Sequence, residues 1–442
     1  MNLYIEKAKV FYRKNFAKYF IFRIIRNLIK NDFDAIIIEL RNKSPVYFLD
    51  LYPKFFKHSF HKKISFSDFI SVNKISAQVL FDEYQYNPRP FTSIPERYQN
   101  EYNISFDELT FPQVLTFEIQ NCFLLGGADL IFTDSECIHS NFINWNREEL
   151  YPVSNAIIWD SGKGILVRNR SKSLEIDSAI HLINGLNGNY AHFLLETLPK
   201  LSGLICMGVY KNQPILIDEG LHENIYEAIQ LLTGFSGRII KVAKGEMVIC
   251  KKLVVFTPTA RIIYNHKNIN LSDPLVFSDS FYNLNAIKSM SKHVLNVIAT
   301  TNTISTLGQK KIFFCRGENQ GRKVHNHRLL IQIFKDKGFE VYNPNDLSFK
   351  EQIHILSGCN FFVTQTGAAL SSLIFLKPKT KILTFAGWPG NAGNCHFFIN
   401  LRDDLAGDIN FVMFEPDPNS QSLVHKDFFV DIQFMDNLLD SY

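Results

Sequence analysis

The stretch from Lys310 to Gly387 alternates apolar runs with amphipathic ones so regularly that few folds can hold it. KKIFFC (Lys310 to Cys315) predicts a strand. A helix is expected through Arg328, Leu329, Leu330, Ile333 and Phe334, ending at Gly338, a residue suited to the left-handed position after a helix. FEVYNP is the next strand, and Ser348 and Glu351 have capping-box spacing at the head of a second helix reaching about Leu356. NFFVTQ is a third strand, Thr366-Gly367-Ala368-Ala369 turns into a third helix, and Pro378 closes it before the strand KILTFAG. Such alternation builds a parallel sheet with helices on its faces, half of a doubly wound fold whose ligands sit at the carboxyl ends of its strands.

The residues at those carboxyl ends have a shared chemistry. Small residues at 367 to 369 let backbone amides approach an anion, and the following helix adds its positive end. Tight helix-strand packing also asks for small residues there. Arg316, Arg322 and Lys323 leave the first strand on the same rim, so cations face a helix N-terminus, a clamp for a diphosphate that needs no metal. The loop Asn343-Pro344-Asn345-Asp346 ends the middle strand where backbone groups can read a base. Glu351 has a competing use as the capping partner of Ser348.

A second constellation lies upstream, in NYAHFLLETLP (Asn189 to Pro199). At about 100° per residue, Asn189, His192 and Glu196 share one narrow arc of an otherwise apolar helix. An amide, an imidazole and a carboxylate facing one cavity suit proton removal from a hydroxyl. The alternative is a wetted helix edge. Around this helix, Phe117 to Phe142 reads as consecutive strands broken by Gly126-Gly127, and Pro214 to Glu219 as a buried strand. A helix is expected from Leu221 to Leu232, with strands at Arg238 to Val242 and Leu253 to Thr257, again mainly parallel. Residues 270 to 308 carry polar, helix-compatible sequence without a sharp motif and read as the passage between two domains.

Two domains also fit a chain of 442 residues. Its seven cysteines are scattered and never form a CxxC pair, which argues for a reducing compartment and against a disulfide framework or a zinc site. No apolar run has the flanks of a signal peptide or approaches the ~20 residues of a membrane span. Residues 1 to 63 hold 14 Lys/Arg and 5 Asp/Glu, a balance of +9 in a chain whose net charge is +4. Basic residues among Phe16, Phe20, Phe22, Ile24 and Leu28 suit an anionic membrane surface, with a plain core-packing helix pair as the alternative. A nucleic-acid partner is not expected, because the basic region holds no aromatic platform or known module. The DFD at Asp32 to Asp34 is a lone three-residue match and carries no metal assignment.

NYAHFLLETLPKL, RGENQGRKVHN and NPNDLSFKEQIHILSGCNFFVTQTGAALSSLIFL, in this order within about residues 117 to 390, resemble the glycosyltransferase 61 family, which includes bacterial capsular polysaccharide biosynthesis proteins. The resemblance implies an α/β, GT-B-like fold of two Rossmann-like domains facing a cleft, here with an N-terminal basic helical extension. The expected division is an extension over 1–105, an acceptor-side α/β domain over 106–305, a nucleotide-sugar-binding domain over 306–415 and a tail over 416–442. It implies inverting transfer of a hexosyl- or pentosyl-type sugar from a nucleotide-sugar donor to a glycan or glycolipid acceptor, a growing capsular or cell-surface polysaccharide. No cofactor and no obligatory metal are expected. The location implied is cytoplasmic, peripheral on the inner face of the membrane.

Carried onto this chain, His192 and Glu196 are the catalytic candidates. Either can be the base, with His192 preferred as proton acceptor and Glu196 as its orienting partner. Asn189 and Lys200 are expected at the acceptor. Arg316, Arg322, Lys323, Asn326, Asn345, Glu351, Gln352, Thr366, Gly367, Ala368 and Ala369 are expected at the donor. The chain departs from the family pattern at Thr366, where a histidine is common, at Asn326-His327, where Asn-Glu is common, and at Lys200, where an arginine is usual. Two other readings remain, a non-catalytic nucleotide-binding or membrane-docked assembly subunit and an enzyme that modifies the nucleotide-sugar itself.

Overall fold

A computed structural model describes residues 60–86, 109–142, 157–160, 164–167, 173–234, 238–262, 280–301, 310–317, 322–387, 398, 401, 409–420 and 427–442. The basic segment up to residue 59, with its expected membrane contact and the DFD, lies outside the described residues.

The first unit is built on a mixed eleven-stranded sheet. Its central strands are β1 (Val114–Leu125), β2 (Ser173–His181), β3 (Ile215–Asp218), β4 (Ile239–Val242) and β5 (Met247–Phe256), in the order β4-β3-β2-β5-β1. The first four are parallel, and β1 closes antiparallel on β5. All four residues of β3 are buried, the apolar run expected of a strand covered on both faces. Beyond β1 the sheet continues through Ile131–Phe132, Glu136–His139, Phe60–Ser65, Gly164–Val167 and Ile157–Asp160. The stretch before residue 106 is therefore not wholly an extension. Phe60–Ser65 is an inner strand, and Gln78–Phe81 pairs with β1.

After β2 the chain forms α1 (Tyr190–His192), a π-helical stretch (Phe193–Thr197) and α2 (Leu198–Cys206), then crosses to β3. Helix α3 (Glu223–Leu232) leads on to β4, whereas β5 lies on the other side of β2. Strand order thus reverses between β2 and β5, and a crevice opens at their carboxyl ends, where His181 terminates β2. Within the helix-compatible passage read over 270 to 308 stands the 18-residue helix α4 (Leu284–Thr301). Ala286, Ile287, Met290, Val294 and Ile298 are all buried, a spacing that matches a helical face.

The second unit follows the expected alternation. Strands β6 (Lys310–Phe314), β7 (Phe339–Tyr342), β8 (Cys359–Gln365) and β9 (Lys381–Gly387) are joined by β10 (Ile409–Phe414), all parallel, in the order β7-β6-β8-β9-β10. Helix α5 (His327–Asp336) gives way to Gly338 at φ +78°, and α6 (Phe349–Ser357) carries the Ser348/Glu351 capping box. A 3-10 helix, Ala368–Phe375, stands where a third α-helix was expected. The presumed tail completes this unit: Phe428 and Val430 join its core beside Phe313 and Phe385, and α7 (Ile432–Asp440) adds Met435 and Leu439. No helix among the described residues is long and apolar enough to cross a membrane.

The two units touch directly. Asn224 Nδ2 donates to the Leu347 carbonyl at 2.9 Å. The Glu227 carboxylate accepts from the Phe349 and Lys350 amides in the first turn of α6, a favourable place for a negative charge. Ser291 Oγ on α4 donates to the Ile374 carbonyl at 2.6 Å. Helix α1 packs on the 3-10 helix, and one apolar cluster runs from Leu198 and Leu201 to Phe349, Leu370 and Phe375.

The turn after β1 depends on Gly126, where a β-carbon would lie 2.1 Å from the Ala243 carbonyl oxygen. Gly126→Ala is expected to destabilise the fold by about 1–3 kcal/mol in urea unfolding, as overpacking against backbone does. Gly188→Ala, with no atom within 4 Å of its added carbon, is the matched control and should change little.

Candidate active site

Pro199 explains the local geometry around the catalytic candidates. It lacks the amide that would close a turn on Leu195, and the ladder widens, the Leu198 amide reaching back to the Phe193 carbonyl. Thr259 Oγ1, just past β5, donates to the Glu196 carbonyl at 2.9 Å. Within this bulge His192 Nδ1 and Glu196 Oε1 are directly hydrogen-bonded, His192 being buried and Glu196 reaching partial exposure. The imidazole and carboxylate meet as expected. Asn189 does not share their arc: it is the N-cap of α1, exposed, its side chain accepting from the Ala191 amide at 3.0 Å.

A buried carboxylate holds this region together. Asp218, at the end of β3, accepts from the Gly127 amide at 2.8 Å, the Asn184 amide at 3.0 Å and Asn187 Nδ2 at 2.9 Å. Asn187 Oδ1 in turn accepts from Thr197 Oγ1 at 2.7 Å. Burial raises the Asp218 carboxyl above its usual range in spite of these donors. Lys200 follows Glu196 along the helix and lies within the fields of both Asp129 and Glu196. Sequence reasoning missed Asp129, His181 and Asp218. The only local signals were the Gly126-Gly127 turn and the polar residues that end the runs of β2 and β3.

At the other expected site, the second sheet reverses its order between β6 and β8, and Arg316 and the Gly367 turn stand at those two strand ends. Gly367 has φ +154° and ψ −165°, a conformation that suits glycine. A β-carbon there would lie 2.0 Å from Arg316 Nη2 and 3.2 Å from Arg322 Nη2. The missing side chain is thus the space the two guanidinium groups occupy. Arg322 takes φ +63°, and its Nη1 donates to the Thr366 carbonyl at 3.0 Å. Burial, and then the charge of Arg316, lowers Arg322 to about 9, still charged at neutral pH. Two half-buried cations on one turn suit a multiply charged anion.

They line a cavity of about 550 Å³ together with Lys323, Asn326, His327 and Gln365. Asn326 shapes this wall by pairing both side-chain atoms with the Val430 backbone, at 2.7 and 3.1 Å. Other expected donor residues are not brought here. Glu351 accepts from the Ser348 amide in its capping box, which lowers its carboxyl below the usual range. Gln352 is buried, donating to the Pro344 and Leu347 carbonyls. Asn345 is exposed on a 3-10 turn outside the cavity. The Thr366 hydroxyl meets Thr384 Oγ1 at 3.1 Å in the interior, so it is its carbonyl that serves Arg322. Ala368 and Ala369 open the 3-10 helix and are half-buried.

Both constellations fall inside one family signature. Residues 190–383 match the model of the Glycosyltransferase 61 family. The match begins at the first residue of α1 and ends within β9, so it contains His192, Glu196, Lys200, both arginines and Gly367. The Glycosyltransferase 61 match supports a glycosyltransferase, with donor and acceptor substrates to bind. Among curated proteins no match to the chain is found.

Because Arg322 is held below its unfolded value, its charged form costs the unliganded fold stability at neutral pH, and a bound anion offsets that cost. Arg322→Gln is therefore expected to raise the melting temperature of the unliganded protein at pH 7. The same change should abolish the stabilisation that pyrophosphate gives the parental chain. Thermal unfolding with and without pyrophosphate reads both effects.

Proposed function

We propose that the chain is an inverting glycosyltransferase whose two units form a GT-B-like pair. In this reading a nucleotide-sugar lies with its diphosphate at Arg316, Arg322 and the Gly367 turn, and an acceptor hydroxyl approaches His192. The observation that carries it is the packing of α1 on the 3-10 helix Ala368–Phe375, because it joins the proton-accepting pair to the element that starts at the anion-binding turn.

The chemistry balances with residues already in place. His192 Nδ1 is engaged by Glu196, so Nε2 is the nitrogen that takes the acceptor proton, and the carboxylate stabilises the imidazolium that results. The freed oxygen attacks the anomeric carbon from the face opposite the nucleotide. As the new C–O bond forms, the bond to the diphosphate oxygen breaks and configuration inverts. Negative charge that develops on the leaving diphosphate falls beside two fixed guanidinium groups, which stabilise it without reorganisation. The charge thus placed supports metal-independent transfer. A capsular or cell-surface polysaccharide is the acceptor proposed, on the resemblance described above. The +9 balance of residues 1 to 63 supports peripheral attachment at the cytoplasmic face of an anionic membrane.

The test combines binding and rate. Nucleotide diphosphates and their sugar conjugates are screened by thermal shift without metal and then with magnesium; a ligand at ~100 times its dissociation constant adds about 2.7 kcal/mol. A selective shift that disappears in Arg316→Ala is expected. His192→Ala and Glu196→Gln should keep that shift while sugar transfer falls by ~100-fold or more, the range of a lost general base. Parental transfer rates in both folded variants would rule the assignment out.

A further inference from the structure

A group of polar side chains gathers at the carboxyl edge of the first sheet, apart from the donor cavity. His181 ends β2, Asp129 lies in the turn after β1, and Lys200 stands on α2 one turn beyond Glu196. Lys200 sits in the fields of Asp129 and Glu196 together, and Asp129 feels Lys200, Glu196 and His139. Asp129 has open access to solvent although protein encloses it so closely that burial raises its carboxyl, as for a group in the wall of a recess. Neither Asp129 nor His181 lies within the residues matched to the family.

His181 supplies an independent sign of a ligand. The residue is 7% exposed, and its Nδ1 is buried without a hydrogen-bond partner among the described residues. Buried polar atoms are nearly always satisfied, and one left open beside an accessible carboxylate and an ammonium asks for a polar guest. We propose that Asp129, His181 and Lys200 form an acceptor subsite beside the His192–Glu196 pair, which takes a neutral sugar through its hydroxyl groups. This rests on the glycosyltransferase reading and names the acceptor class for it.

The donor and acceptor inventory matches that guest. A carboxylate accepts from two neighbouring hydroxyls, an ammonium donates to a hydroxyl oxygen, and a neutral imidazole nitrogen does either. Charge sets the class. Burial holds His181 at about 3 and His139 below its ordinary value, so both rings are neutral at pH 7. Lys200 is the one cation of the group and already lies in the fields of Asp129 and Glu196, so a carboxylate or phosphate on the acceptor sugar would have to compete with two carboxyl groups for it.

Saturation-transfer NMR on the full chain tests this with an equimolar mixture of methyl glucoside, methyl galactoside, methyl mannoside, methyl rhamnoside and methyl glucuronide. At least one neutral glycoside is expected to bind and the glucuronide is not. Asp129→Asn and Lys200→Met should each weaken that binding by ~10-fold or more, while the pyrophosphate shift in melting temperature persists. Binding of no glycoside, equal binding of the glucuronide, or unchanged binding in both variants would overturn the subsite. Loss of the pyrophosphate shift in the parental chain would count against the donor site instead, so the two readings fail separately.

Discussion

The Asp218 carboxylate is the point on which the geometry of the first unit's candidate site depends. A charge buried at the end of a parallel strand is unstable unless donors surround it, and the three it finds come from two different loops. Each contact fixes a segment that carries a site residue. Gly127 belongs to the turn that bears Asp129, Asn184 and Asn187 to the loop that leads into α1, and Thr197, held through Asn187, to the bulge that bears Glu196. One side chain therefore sets the relative positions of three segments far apart in sequence. The same role would be poorly served by an apolar residue, which fills space but does not dictate which amide points where.

The second unit solves a different problem, holding two like charges together. Burial penalises the charge of both Arg316 and Arg322, and for Arg322 the neighbouring charge of Arg316 adds to the cost. Backbone geometry supports the pair. Gly367 leaves out the β-carbon that would displace Arg316, and the Thr366 carbonyl takes a hydrogen from Arg322. The C-terminal segment steadies the loop from outside, since Asn326 pairs with Val430, and Lys323 pairs with Asp427 and Phe428. Such an arrangement suits an anion, and without one it costs the fold stability, a division common where binding geometry matters more than fold stability.

Much of this was legible locally. The strand-helix alternation from Lys310 to Gly387, the capping box at Ser348 and the approach of His192 to Glu196 all follow from short-range spacing, and the structure keeps them. What sequence could not give were long-range partners. Helix α4 was legible only as helix-compatible sequence, because its buried face is spread over 18 residues and its cap is a single asparagine, Asn283, whose Oδ1 accepts from the Ala286 amide. Asn189 lay on the arc of an ideal helix, but a cap residue precedes the helix and the π-helical bulge then alters the phase. Asp129 and His181 looked ordinary because each is a single polar residue at the end of an apolar run. Their meaning appears only when β1 and β2, separated in sequence by some fifty residues, are placed either side of β5.

The boundary between units follows the same logic of charge and apolar contact. Glu227 on α3 meets the amides that open α6, so an acidic side chain of the first unit offsets the positive end of a helix in the second. Ser291 and Asn224 add neutral hydrogen bonds, and the apolar cluster through Leu198, Phe349 and Phe375 excludes water around them. These contacts lie on α3, α4, α6 and the 3-10 helix itself, along the same boundary at which α1 packs on the 3-10 helix. In the proposed reading, the His192–Glu196 pair on one unit and the Arg316–Arg322 pair on the other act on one substrate pair only while that spacing is kept. The mixed polar and apolar bracing resists sliding, because a shift that preserves apolar burial still strands the Phe349 amide and the Glu227 carboxylate without partners.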